Sequence, residues 1–161
     1  VGLIKYPTIP FLKDRGRKHE YLLTSEIKFG AAHRLSDCEG KYSRIHGHTY
    51  RVVITVKSFK LNNWGAVMDF DKLKKIFKDH IKKKYDHKLI LWVSDNENRI
   101  LSRAMGKNWV TWMNSNPTAE NIARDIWSDL IPAFNMLRNI NLIKVTVYET
   151  ATNAATYQEG K

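Results

Sequence analysis

The run from residue 46 to residue 59, His-Gly-His followed by Thr-Tyr-Arg-Val-Val-Ile-Thr-Val-Lys-Ser-Phe, most narrowly limits what this chain can fold into. Val52, Ile54 and Val56 alternate with Arg51, Thr55 and Lys57, the period-2 pattern of a strand with one face in a core. If Gly47-His48 opens that strand, His46 and His48 point to one face. Two imidazoles on one face are a metal-ligand pair, and His33, a short loop upstream, supplies a third. Three ligands leave the fourth position open, which distinguishes a catalytic zinc from a closed structural one.

The rest of the chain arranges itself around that strand. Tyr21 to Phe29 reads as a strand, with Ile27 and Phe29 alternating against Glu26 and Lys28, so the histidine-bearing loop joins two strands. Asp69 or Asp71 can cap a helix whose apolar positions Phe70, Leu73, Phe77 and Ile81 recur at helical spacing and which should end near Tyr85. From residue 92 to 115 no period holds. That length is uncommon for a plain loop, and Trp92, Trp109 and Trp112 suggest an insertion that packs on something. Thr118 caps a second helix with Glu120 in its first turn, Ile122, Ile126, Trp127 and Leu130 marking one face and Pro132 ending it or nearly so. Ile143, Val145 and Val147 alternate with Lys144, Thr146 and Tyr148, and Ala154 to Gln158 can form a short closing strand.

The order is therefore ββααββ, an α+β architecture with a four-stranded antiparallel sheet and two helices on one face. Four strands leave open sheet edges, which favours pairing with further copies. Domain organisation is simple: an N-terminal extension over 1–20, then a single domain over 21–161 with the insertion at about 92–115. The extension lacks the apolar core of a secretory signal, and no run reaches the roughly eighteen apolar residues of a membrane span. Cys38 is the only cysteine, so no intrachain disulfide forms and a reducing, cytoplasmic setting is expected.

The charge is +11, from 27 Lys and Arg against 16 Asp and Glu. Much of the excess lies in the first helix, at Lys72, Lys74, Lys75, Lys78, Lys82, Lys83 and Lys84, where a solvated helix face is the simplest reading. A basic nucleic-acid-binding module is the remote alternative, but it leaves the histidines without a purpose. A polyanionic small substrate would also be drawn by such a field.

Two acidic positions add to the histidines. Glu149 continues the face of Val145 and Val147, so it either finds partners or meets water at the strand end. Asp86 beside His87 can orient an imidazole for proton transfer.

Taken in order, Phe29-Gly-Ala-Ala-His33-Arg-Leu, His46-Gly-His48-Thr-Tyr, Val67-Met-Asp-Phe, Asp86-His87-Lys, Pro117-Thr-Ala-Glu120-Asn-Ile-Ala and Val147-Tyr-Glu149-Thr resemble the successive motifs of the 6-pyruvoyl and 6-carboxy-tetrahydropterin synthases. The resemblance implies a tunnelling fold whose barrel is completed by oligomerisation, a hexamer of two trimers. It also implies Zn2+ on His33, His46 and His48, a pterin anchor at Glu149, a pocket lined by Thr118 and Glu120, and Asp86 and His87 as two members of a catalytic triad. The triad's third member in the family is a cysteine four or six residues before His-Gly-His, where this chain has Tyr42 and Gly40. With Glu39 nearby, that departure resembles a parasite-type variant in which a glutamate replaces the cysteine. The implied reaction is then cleavage of the side chain of 7,8-dihydroneopterin triphosphate to 6-hydroxymethyl-7,8-dihydropterin for folate biosynthesis. Standard triphosphate elimination in a tetrahydrobiopterin-type pathway is the alternative.

Overall fold

The structure, a computed structural model, describes residues 19–158 and 160; most of the expected N-terminal extension lies outside them. Strand β1 (Tyr21–His33) pairs antiparallel with β2 (His46–Ser58) along its whole length, from Tyr21 opposite Ser58 to His33 opposite His46. Helix α1 (Phe70–Tyr85), β3 (Lys88–Trp92), α2 (Asn96–Met105), β4 (Val110–Met113), α3 (Ala119–Asn135), β5 (Asn141–Tyr148) and β6 (Ala154–Gln158) follow.

Among the described residues the sheet has six strands in the order β4-β3-β1-β2-β5-β6, not the four expected. The antiparallel part, β1, β2, β5 and β6, is the expected one. The two added strands run parallel to β1 and to each other and come from the stretch around 88 to 113. Leu89, Ile90 and Leu91 are all buried, so β3 has apolar residues on both faces and shows no alternation.

Periodicity placed most of the core correctly in the antiparallel half. Val52, Ile54 and Val56 of β2 are fully buried against Leu73, Phe77 and Ile81 of α1 and Ile122, Ile126 and Leu130 of α3. Both helices thus cover one face. The Asp69 carboxylate accepts from the Asp71 and Lys72 amides and starts α1, and the Thr118 hydroxyl accepts from the Asn121 amide and starts α3. Pro132 lies inside α3, which continues to Asn135 and buries Phe134. Phe70, expected on the apolar stripe, is exposed. In β5 the register with β2 shifts between Thr55 and Val56, so Leu142 is buried and Ile143, expected inward, is only half-buried. A bulge of this kind resets the inward phase by one residue.

Candidate metal centre and active site

His33 ends β1, His46 begins β2, and the register sets them directly opposite each other, with Ala31 opposite His48. Opposed residues share a face, and the next on that face lies two residues along. The three imidazoles therefore converge. Ring centroids lie 4.5 Å apart for His33 and His46, 5.2 Å for His33 and His48, and 5.1 Å for His46 and His48. Glu149, just past β5, brings its Oε1 to 3.2 Å from His33 Nε2 and 3.5 Å from His48 Nε2. One ligand atom from each of the four lies within 4.8 Å of the others.

Hydrogen bonds decide which nitrogen faces the cluster. His33 Nδ1 donates to the Pro117 carbonyl and His46 Nδ1 to the Arg44 carbonyl, both at 2.8 Å. A carbonyl only accepts, so each Nδ1 carries the proton and each Nε2 presents a lone pair. Those two Nε2 atoms stand 3.1 Å apart. His48 Nε2 is buried and makes no hydrogen bond among the described residues. Lone pairs converging on one point fit a cation, and three imidazoles with a carboxylate oxygen suit zinc or a similar divalent ion. Burial lowers the pKa of His33, against the opposing pull of the Pro117 carbonyl, and burial also lowers that of His48. Both rings therefore favour the neutral, ligating form.

Asp86 and His87 are held by β1. The Gly30 amide donates to Asp86 Oδ1 at 3.0 Å, and the His87 amide donates back to the Gly30 carbonyl at 2.6 Å. Burial works against the ionised form of Asp86, but the Lys82 ammonium at 2.7 Å and the Gly30 amide outweigh it and hold its carboxyl below the ordinary range. His87 Nδ1 lies 3.3 Å from Asp86 Oδ1. His87 has φ +58°, a conformation that non-glycine residues seldom adopt and that is often kept for function. Its side chain is 81% exposed.

Two clefts flank the cluster. His87 and His48 line one of about 690 Å³ together with Thr49, Ile45 and Trp109. Thr118, Glu120 and Glu149 line another of about 300 Å³ with Leu35, Tyr42 and Asn153. His48 belongs to the first and Glu149 to the second, so the four-residue cluster touches both. Glu39 is exposed, stands just before a 3-10 turn over Gly40–Ser43 and lines neither cleft. Cys38 is half-buried, its thiol donating to the Leu35 carbonyl at 3.3 Å. From this spacer it is Tyr42 that enters the smaller cleft, its ring centroid 6.2 Å from that of His46. Sequence reading noted position 42 only for its missing thiol. It also had no means of finding the Pro117 and Arg44 carbonyls, since a backbone acceptor leaves no residue-type signature.

A three-histidine centre beside a carboxylate-lined cleft, on an α+β fold with helices on one face of the sheet, defines the class. Residues 22–160 match the 6-pyruvoyl tetrahydropterin synthase family, and the chain belongs to it. A curated relative, the 6-carboxy-5,6,7,8-tetrahydropterin synthase of Rickettsia conorii, is 33% identical over 128 residues, covering 79% of this chain and 92% of its own length. A solved protein from Wolinella succinogenes, described as uncharacterized, superposes with TM-score 0.77 at 21% identity, covering 88% of this chain and 99% of its own. The 6-pyruvoyl tetrahydropterin synthase of Plasmodium vivax superposes with TM-score 0.68 at 22% identity, covering 89% and 99%. That enzyme has also been solved with a glutamate, described as a catalytic residue, replaced by alanine. Among the described residues no helix is long and apolar enough to cross a membrane.

Proposed function

We propose that the chain is a zinc-dependent lyase that binds 7,8-dihydroneopterin triphosphate and shortens its side chain, giving the 6-carboxy-5,6,7,8-tetrahydropterin named in its curated relatives. One water is consumed, triphosphate and acetaldehyde are released, and the ring's reduction to the tetrahydro level is matched by oxidation of the retained side-chain carbon to the carboxylate. The observation that carries this reading is the convergence of one ring nitrogen from each of three imidazoles and a Glu149 carboxylate oxygen within 4.8 Å of one another. His33, His46 and His48 would hold the ion. Bound zinc would act as a Lewis acid toward a side-chain oxygen of the substrate.

Glu149 accepts from the amino group and ring N-H of the pterin, its carboxylate having acceptors only. Thr118 and Glu120 close the pocket around the ring. Asp86, kept ionised by Lys82 and Gly30, orients His87, which moves protons on the substrate side chain. The wide exposure of His87 supports a site closed by further copies of the chain, and the family resemblance suggests a hexamer of two trimers as that assembly.

A second reading has a specific observation in its favour. No thiol stands at position 40 or 42, and Glu39 lies in the same spacer, as a glutamate serves in the Plasmodium vivax enzyme. A carboxylate base removing the proton of the second side-chain hydroxyl starts retro-aldol cleavage of the bond between the first and second side-chain carbons, releasing the triphosphate of glycolaldehyde and giving 6-hydroxymethyl-7,8-dihydropterin, a folate precursor. Incubating the zinc-loaded protein with 7,8-dihydroneopterin triphosphate and separating the pterins decides between them. 6-Carboxy-tetrahydropterin supports the first reading, the hydroxymethyl product the second. 6-Pyruvoyl tetrahydropterin as sole product overturns both and leaves triphosphate elimination.

A further inference from the structure

The segment between β3 and β4 is tied to the metal loop by polar side chains. Arg34, next to His33, donates from Nη1 to Asp95 Oδ2 at 3.2 Å and to Asn98 Oδ1 at 3.0 Å. Its Nη2 donates to Glu97 Oε2 at 2.6 Å, and its Nε to the Ser43 carbonyl at 3.1 Å. Asp95 is the N-cap of α2, with Oδ1 accepting from the Glu97 amide while Oδ2 accepts from the Ser36 hydroxyl. Asn98 is fully buried and donates to Ser36 Oγ and to the Trp92 carbonyl. Asn116 makes a two-way clasp with the backbone of Ser36, donating to its carbonyl at 2.6 Å and accepting from its amide at 2.8 Å.

This network ends at the groups that aim the imidazoles. Asn116 precedes Pro117, whose carbonyl orients His33, and Ser43 precedes Arg44, whose carbonyl orients His46. We infer that Arg34 and Asp95 are positioning residues for the metal centre, by which α2 holds both ends of the 34–45 loop and so fixes the ring orientations of His33 and His46. The inference rests on the metal reading proposed above. Its physical basis is that loss of a group that orients a ligating histidine typically costs about 10- to 100-fold in metal affinity. Charge-assisted bonds with two or more partners hold a planar guanidinium in one geometry, whereas an ammonium at the same place does not.

The test is competition for Zn2+ between the full chain and a chromogenic chelator, with thermal unfolding of the metal-free protein alongside. Asp95→Asn keeps a capping side chain for α2 but loses the charge facing Arg34, and Arg34→Lys keeps the charge but loses the fork. Each is expected to weaken zinc binding about 10- to 100-fold, with a smaller proportional change in metal-free stability. The double variant should weaken binding by less than the product of the two, as partners acting through one contact do. Unchanged zinc affinity in Asp95→Asn and Arg34→Lys overturns the inference, as does strict multiplicativity in the double variant. Should Asp95→Asn fail to fold, Arg34→Lys and Ser36→Ala decide the matter by the same readout. Failure of the unsubstituted protein to bind zinc would instead overturn the metal reading itself.

Discussion

Glu149 stands between two demands on one carboxylate. Its Oε1 is within 3.5 Å of two imidazole nitrogens, and the side chain remains 28% exposed toward the smaller cleft. A residue given over wholly to the ion would have no reason to face a cleft lined by Thr118 and Glu120. Replacement by glutamine keeps the shape and removes the charge. The expected outcome for Glu149→Gln is a kcat/KM lower by about 10- to 100-fold, the scale of one lost charged hydrogen bond, with bound zinc near the unsubstituted level. His48→Ala is expected to lower bound zinc itself. Elemental analysis beside steady-state kinetics separates the two, and zinc lost from Glu149→Gln would make the carboxylate a ligand first. At this scale the sequence was informative where side chains do the work. His46 and His48 shared a face by alternation, and the strand register then placed His33 opposite His46. Tyr42 was not legible as a cleft residue, because the short 3-10 turn that aims it has no period to read.

Helix α2 shows why one element escaped sequence reading. Its one fully buried residue is Asn98, while Ile100, Leu101, Ala104 and Met105 share a face that the chain leaves exposed or half-buried, a stripe of two short turns that sequence reading passed over. Polar contacts hold it instead, and they respond to pH. Burial works against the ionised form of Asp95, but the Ser36 hydroxyl, the Glu97 amide and the Arg34 guanidinium outweigh it and hold its carboxyl below the ordinary range. A carboxylate depressed in the folded state contributes stability above its unfolded pKa, about 4, and loses it as pH falls through the folded value. The unsubstituted protein should therefore unfold at higher temperature than Asp95→Asn near neutrality, and the gap should close on acidification below about pH 4. Parallel melting curves from pH 7 to pH 3 would assign the stabilisation to something other than this charge. The helix α3 raises the opposite case, a sequence signal overridden by packing. Pro132 removes one backbone donor from the last turns, yet burial of Phe134 carries the helix past it to Asn135.

For the molecule as a whole, the antiparallel half was legible and the parallel half was not, since β3 is apolar on both faces and β4 has four residues. The added half also shapes the larger cleft, where Met105 and Trp109 are exposed beside Ile45, His48 and His87. His87, proposed to move protons, is 81% exposed and in that role would work poorly against bulk water, and large apolar side chains around it gain by being covered. Two short strands, β4 and β6, form the sheet's edges among the described residues, and edge strands offer backbone groups for the same purpose. The proposed hexamer meets both needs. Against it stands a charge of +11 on every copy, which repels like chains over a screening length of about 10 Å at 0.1 M salt. Light scattering should accordingly give six times the chain mass at moderate salt, with partial dissociation as salt is removed and recovery when it is restored. An interface held mainly by ion pairs would behave the other way, weakening as salt is added. A monomer that turns over substrate at full rate at both ionic strengths would show that one chain completes the site alone.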